Sequence, residues 1–384
     1  MTESMDKTTR VLIVQPALPK YRIPVFKELA TRVGIDLTVL HATESDLKSE
    51  QAESFKDIKT SDKKINSPVG QLFWNHDHLK YASKKHTDVY IIVGNMRYLS
   101  LIPTVIKARL SGVRVVFWTH GCSKQKSRLR SALRESIYRL AHSIVFYTDT
   151  VRKQFEDAGW NPKNLFVAPN SIDLSPIDKE IQHWKNRPEA LEAFAKDNQL
   201  EGKRNIIFVS RFSPKNRLDL LFKAVERLVR EGMHDLKVIL IGGGDDVRQT
   251  LEEQAANLKI QNNIIFTGPI YEETEIAKWM LNAQIFCYPS NMGLSVQHAI
   301  AYKLPVITSN EPRLHGPEIE LITDNHTGLL YENGSADDLY QKLRLLLEDE
   351  NKRKQLADQA YHRLTHEYGI SNMVDGLVSC IRGK

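Results

Sequence analysis

The chain has 384 residues, 41% hydrophobic and 26% charged, with a formal net charge of +6. That length is too great for one ordinary core and suits two α/β domains, while the absence of any apolar run near ~20 residues excludes a membrane span. The charge is uneven: residues 1–190 hold 30 Lys/Arg against 20 Asp/Glu, net +10, leaving 23 against 27, net −4, for residues 191–384.

Arg10–Gln15 reads as an apolar strand, followed by the loop Pro16–Arg22 and a helix over Ile23–Thr31. Leu37–Leu40 is the next strand, and the lysine-rich stretch Glu44–Ser67, weak in periodicity, reads as an exposed excursion. Asp88–Gly94 is a strand, Tyr98–Leu110 an amphipathic helix, and Val113–His120 a strand with His120 at its carboxyl end. A helix over Lys124–Ala141 carries Lys124, Lys126, Arg128, Arg130, Arg134 and Arg139 on several faces. It is either a solvated surface or a contact for an anionic bilayer. Ser143–Thr148 is a strand, a helix runs to Gly159, and Leu165–Ala168 leads into Pro169–Asp173. Residues 174–203 are polar, helix-prone and weakly apolar, which places the link between domains there.

The alternation then restarts. Strands are expected at Asn205–Ser210, Leu236–Ile241 and Asn263–Thr267, with helices at Arg217–Glu231, Val247–Leu258 and Glu272–Leu281. Gly242-Gly243-Gly244 after a strand is either a tight turn or a close approach to a ligand. Ala283–Tyr288 is a short apolar strand stopped by Pro289-Ser290; a turn at Gly293 opens a helix over Leu294–Tyr302, and Leu304–Thr308 is a second strand. Strand, helix, strand is a βαβ unit with parallel strands. Its loop lies at a carboxyl strand edge, where open α/β sheets bind ligands, and its helix start suits a phosphate. Thr327–Tyr331 is a short strand, and helices at about 335–348, 350–367 and 369–382 close the chain. Cys122, Cys287 and Cys380 lack metal-ligand spacing and read as core thiols of a reducing compartment. The N-terminal MTESMDKTTR has no apolar leader segment.

Pro289-Ser290, Gly293-Leu294, Ala299, Ala301 and Pro305-Val306-Ile307 resemble the donor-binding segment of the family 4 (group 1) glycosyltransferases, P-S-x-x-E-G-F-G-L-x-x-x-E-A-M-A-x-G-x-P-V-I. Ser210–Asp219 resembles the same family's G-R-L-x-x-x-K-G/R-x-D segment. The resemblance implies the GT-B fold: two Rossmann-like domains facing each other across a cleft, here 1–180 on the acceptor side and 181–368 for the nucleotide-sugar, with a helix in 369–384 crossing back. It assigns Arg211 to the donor diphosphate. The family lysine falls on Asn216, so Lys215 is either its substitute or a solvated cation. Fixed cations and a helix start stabilise the charge that builds on a leaving diphosphate.

By the same resemblance Gly268 and Ile270 read the nucleobase through the main chain, and Gly293, Leu294 and Ser295 border the diphosphate. The family's paired glutamates fall on Ser290 and His298, which can hydrogen-bond a sugar or ribose hydroxyl. Neither is acidic, which leaves donor sugar and stereochemistry open, although the family implies retention. His120 matches a histidine near the donor sugar, and Glu318 follows the donor helix as a sugar-orienting group, a base, or a helix-start cap. Tyr21 and Arg22 are candidates to meet the acceptor or a phosphate. No Asp-x-Asp pair ends a strand, so no metal cofactor is expected, and a nucleotide-diphosphate sugar is the donor substrate.

The implied activity is transfer of a hexose-type sugar to a lipid-linked or polysaccharide acceptor in bacterial cell-surface glycan biosynthesis. The expected location is cytoplasmic, with peripheral contact at the anionic inner face of the cell membrane. A nucleotide-sugar epimerase of the same fold and a non-catalytic sugar-nucleotide-binding subunit are the alternatives. A nucleic-acid binder is disfavoured, because no helix-turn-helix or aromatic-basic platform appears.

Overall fold

The structure, a computed structural model, describes residues 8–42, 51–68, 70–121 and 128–384, with side chains from residue 132 onward in the last range. Two compact units are present: one runs to Ile172 and takes in Gly369–Lys384, the other is Asp173–Tyr368.

The first unit contains β1 (Thr9–Gln15), α1 (Ile23–Thr31), β2 (Ile35–Ala42), β3 (Lys56–Thr60), β4 (Lys63–Ser67), β5 (Gly70–Trp74), α2 (His76–Tyr81), β6 (Val89–Val93), α3 (Leu101–Leu110), β7 (Arg114–Thr119), α4 (Arg128–Tyr138), β8 (Ser143–Phe146), α5 (Asp149–Asp157) and β9 (Leu165–Val167). A seven-stranded parallel sheet runs in the order β3-β2-β1-β6-β7-β8-β9. Its central strands, such as β6 and β7, read as nearly unbroken apolar runs because both faces are covered. In β1, Val11 and Ile13 enter one buried cluster while Leu12 and Val14 enter another; in β7, Val116 and Trp118 divide likewise from Val115 and Phe117.

The stretch Glu44–Ser67, expected as an excursion, instead supplies β3 at the sheet edge and β4, which pairs antiparallel with β5. An edge strand such as KDIKT buries little, so it carries almost no hydrophobic period. Residues 44–50 of that stretch, Cys122, Lys124 and Lys126 lie outside the described residues, as do the side chains of Arg128 and Arg130.

The second unit contains α6 (Ser175–Lys185), α7 (Pro188–Asp197), β10 (Arg204–Val209), α8 (Leu218–Arg230), β11 (Leu236–Ile241), α9 (Asp245–Asn257), β12 (Ile264–Gly268), α10 (Glu273–Leu281), β13 (Ile285–Cys287), α11 (Ser295–Ala301), β14 (Val306–Ser309), β15 (Leu329–Tyr331), α12 (Ala336–Glu348) and α13 (Glu350–Glu367). Its six-stranded parallel sheet has the order β12-β11-β10-β13-β14-β15. Helix α8 buries Leu218, Leu221, Phe222, Val225 and Leu228, the i, i+3, i+4, i+7 stripe of a helix laid on a sheet. The segment 174–203, expected as a polar, helix-prone link, forms α6 and α7. Both belong to this unit, where Phe194 packs edge-on against Trp279 at 5.0 Å.

The last helix, α14 (Ile370–Arg382), packs on α1, β8 and β9. Met373, Val374, Leu377, Cys380 and Ile381 complete the first unit's core, and Arg32 pairs with Asp375 at 3.0 Å. Gly376 permits this approach, since a Cβ there would run into the carbonyl of Val167. Cys287 and Cys380 are buried free thiols, and burial pushes both upward in pKa, Cys380 to about 12. Among the described residues no helix is long and apolar enough to cross a membrane.

Candidate active site

In the second unit the chain runs from β10 outward through β11 and β12, then returns to β13 on the other flank of β10. Right-handed crossovers leaving β10 and β13 in opposite directions carry their helices to opposite faces. A crevice therefore opens at the carboxyl ends of these two strands, the usual ligand position in such sheets. The loop after β10 carries Arg211 and Lys215; the loop after β13 carries Ser290, Gly293, Leu294 and Ser295.

Backbone contacts hold the β10 loop. Ser210 N–H donates to Ile241 O at 3.0 Å and Phe212 N–H to Gly243 O at 2.7 Å, which pins the residues on either side of Arg211. This is why Gly242 follows β11: a Cβ there would collide with Ser210 O. At Gly242 the close approach is therefore to the neighbouring loop rather than to a ligand. Arg211 is exposed and makes no ion pair or side-chain hydrogen bond among the described residues; Lys215 is exposed as well.

Asn216, at the position of the family lysine, is 1% exposed. Its Oδ1 accepts from Ser213 N–H at 2.7 Å, its Nδ2 donates to the Tyr288 hydroxyl at 3.0 Å, and its carbonyl accepts from Ser290 N–H at 3.1 Å. One amide thus stitches the two walls together. Ser290, predicted to meet a sugar, is buried and contributes that N–H to the stitch. The turn after it needs a left-handed residue at Asn291, φ 61°, and not at Gly293, where a Cβ would meet nothing.

Glu318, predicted at the ligand, is 3% exposed and packs its carboxylate against Gly316. Gly316 N–H donates to Met292 O at 2.7 Å. His315 accepts from Met292 N–H through Nδ1 at 3.2 Å, so its proton sits on Nε2, 2.9 Å from the Ser309 hydroxyl. Glu318 therefore lies in the scaffold beneath the Met292 turn. Gly268 closes β12 and its carbonyl already accepts from Gly242 N–H at 3.0 Å and the Thr267 hydroxyl at 2.8 Å. Of that predicted base-reading pair, Ile270 stands farther out on the loop.

His298 gives the largest departure from the sequence reading. Its Nε2 lies 2.9 Å from both carboxylate oxygens of Glu273, the first residue of α10. The Tyr302 hydroxyl, one turn on, donates to Glu273 Oε1 at 2.6 Å. Burial, then the bond to Glu273, pushes the Tyr302 hydroxyl upward in pKa and keeps it a donor. The Glu273 side chain remains 25% exposed. A carboxylate thus stands beside the position where the family motif has its second glutamate, delivered from another helix. No sequence motif marks Glu273; the only signal is an acidic pair, Glu272-Glu273, opening the helix after the Gly268 loop.

In the first unit His120, Tyr21 and Arg22 converge. The exposed His120 ring stacks on Tyr147 with centroids 4.5 Å apart. Arg22 is buried, its guanidinium 5.1 Å from the Trp118 ring, 5.3 Å from Tyr21 and 5.6 Å from Tyr147. It donates to Met373 Sδ at 3.3 Å and lies 3.4 Å from the Tyr147 hydroxyl. An arginine caged by three rings does not reach out to an acceptor; it braces the ring on which His120 rests.

Known proteins bear on this arrangement. Residues 189–363 match the family model described as glycosyl transferases group 1, and residues 26–176 match glycosyltransferase family 4. A poly(glycerol-phosphate) alpha-glucosyltransferase of Bacillus subtilis is 23% identical over 61% of this chain and 31% of its own. A GDP-mannose-dependent alpha-(1-6)-phosphatidylinositol monomannoside mannosyltransferase of Mycolicibacterium smegmatis is 24% identical over 66% of each chain. This chain therefore spans about a third of the first relative's length and two thirds of the second's. Anabaena HepE in complex with UDP superposes with a TM-score of 0.74 at 15% identity, covering 98% of this chain and 100% of that one, a likeness that shows the GT-B fold. With one model matching most of each unit and the fold shared end to end, the chain belongs to the family 4, group 1 glycosyltransferases.

Proposed function

We propose that this protein transfers a hexose-type sugar from a nucleotide-diphosphate-sugar donor to a lipid-linked or polysaccharide acceptor in cell-surface glycan biosynthesis, with retention of configuration. The observation that carries the reading is Arg211: an exposed arginine without a protein partner among the described residues, on a pinned backbone, at the carboxyl-end crevice of a parallel sheet. A guanidinium there suits two diphosphate oxygens at once, and Lys215 adds a point charge. The C1–O bond to the diphosphate breaks, the acceptor oxygen bonds to C1, and the acceptor proton leaves toward the departing phosphate. Arg211, Lys215 and the N–H groups around Gly293–Ser295 carry the leaving charge without a metal. Glu273, held by His298 and Tyr302, takes the ribose hydroxyls in place of the motif glutamate. Ile270 faces the base, His120 serves the donor sugar, and Tyr21 serves the acceptor side. The substrates in the relatives' names, a poly(glycerol phosphate) and a phosphatidylinositol mannoside, support an anionic or lipid-borne acceptor.

A thermal-shift screen of nucleotide-sugars, followed by release of nucleoside diphosphate with lipid acceptors in the presence of EDTA, tests the reading. Stabilisation by a nucleotide-sugar of a few kcal/mol at saturation, with acceptor-dependent release, is expected. No stabilisation by any nucleotide-sugar would overturn it. The burial of Glu318 and Ser290 favours one rival, a donor-binding subunit, which the same assay identifies by stabilisation without turnover.

A further inference from the structure

Helix α3 presents an unusual outer face. Its inner side buries Leu101, Thr104, Val105 and Ala108 against the first sheet. On the outer side Ile102 is 42% exposed, Ile106 45% and Leu110 85%, and Leu99, just before the helix, is 45% exposed. At about 100° per residue these three helical positions span about 80° of arc, with Arg109 about 20° beyond one edge and Lys107 about 60° beyond the other. Lys107 Nζ donates to Leu79 O at 2.9 Å and Arg109 Nη1 to Leu140 O at 2.6 Å. Neither of them, nor the exposed Arg97, pairs with a carboxylate among the described residues. From residue 89 to residue 148 the sequence has ten Lys/Arg and one acidic residue, Glu135.

We infer that α3 is a membrane-docking element: the Leu99–Ile102–Ile106–Leu110 stripe inserts among lipid head groups while Arg97, Lys107 and Arg109 meet anionic phosphates. An apolar stripe flanked by cations is what an interfacial helix needs. Charge decides between occupants. A second copy of this chain would set two cationic faces together, whereas an anionic bilayer neutralises one. The inference deepens the lipid-acceptor part of the reading above, and it can fail while sugar transfer stands.

Co-sedimentation of the full chain with vesicles tests it, using phosphatidylcholine alone and an equal mixture with phosphatidylglycerol. The chain is expected to bind the anionic vesicles and largely ignore the neutral ones. Replacing Lys107→Gln and Arg109→Gln together should weaken binding about 25-fold, near fivefold for each cation. Replacing Ile102→Ser and Ile106→Ser should weaken it by about tenfold or more. All four side chains are exposed, so thermal melting should hold, and nucleotide-sugar binding should be unchanged. Equal affinity of wild type and both variants, or no binding to anionic vesicles, would overturn the proposal. Self-association in sedimentation velocity that the isoleucine variant abolishes would reassign the stripe to a contact between copies.

Discussion

Replacing Glu273→Gln isolates the carboxylate that His298 and Tyr302 hold. A hydrogen bond to a charged acceptor contributes about 1.5–3 kcal/mol and a neutral one about 1. Turning the acceptor for two ribose hydroxyls from carboxylate to amide should therefore cost about 1–2 kcal/mol, a 5- to 30-fold loss of nucleoside-diphosphate affinity. The 2′-deoxy diphosphate lacks one of the two hydroxyls, so its loss should be about threefold. The sign is informative, because removing a negative charge near a diphosphate through space alone would tighten binding. Isothermal titration of wild type and variant with both nucleotides, using the base found by the nucleotide-sugar screen, measures these values. Stability should fall by about 1–2 kcal/mol, because Glu273 is only a quarter exposed and an amide accepts more weakly than a carboxylate from the Tyr302 hydroxyl and from His298. Tighter binding, or an equal change for the ribo- and deoxynucleotide, would refute the ribose assignment while leaving the crevice intact.

Three other outcomes follow from the geometry. Arg211→Ala should leave unfolding free energy within about 0.5 kcal/mol of wild type, as for an unpartnered surface residue, yet weaken nucleoside-diphosphate binding about 100-fold; Lys215→Ala should weaken it less. Asn216→Lys restores the family residue but buries an ammonium in place of a side-chain amide with two hydrogen bonds, so urea denaturation should show about 3 kcal/mol of lost stability. His78 is pushed down to about 4 by burial, and its Nδ1 has no hydrogen-bond partner. Its neutral ring is favoured in the fold while the unfolded chain takes up the proton below its ordinary value of 6.5. Stability is therefore full above about pH 6.5 and falls by about 3 kcal/mol as pH drops toward 4. Chemical denaturation across that window should show the slope in wild type and lose it in His78→Phe.

The alternation of apolar strands and amphipathic helices was legible because burial on both faces leaves its mark in every residue of β1, β7, β10 and β11. The exposed loop residues Arg211 and Lys215 were legible too, since they stand at strand ends that hydrophobic runs locate. Edge strand β3 was not, because it buries too little to show a period; in 174–203 the helical bias was legible, but not the packing of its helices against α10.

Local pattern by itself determined the strands, the helices and the cation in the loop after β10, because each depends on residues near one another along the chain; the crevice came from the family resemblance. Tertiary structure alone decided which polar groups line that crevice. Ser290, Asn216 and Glu318 look like loop residues open to ligand, yet packing buries them as struts. Glu273 and His298 lie on two helices brought together only when β12, β13 and β14 align, and a contact between helices has no period for a sequence to display.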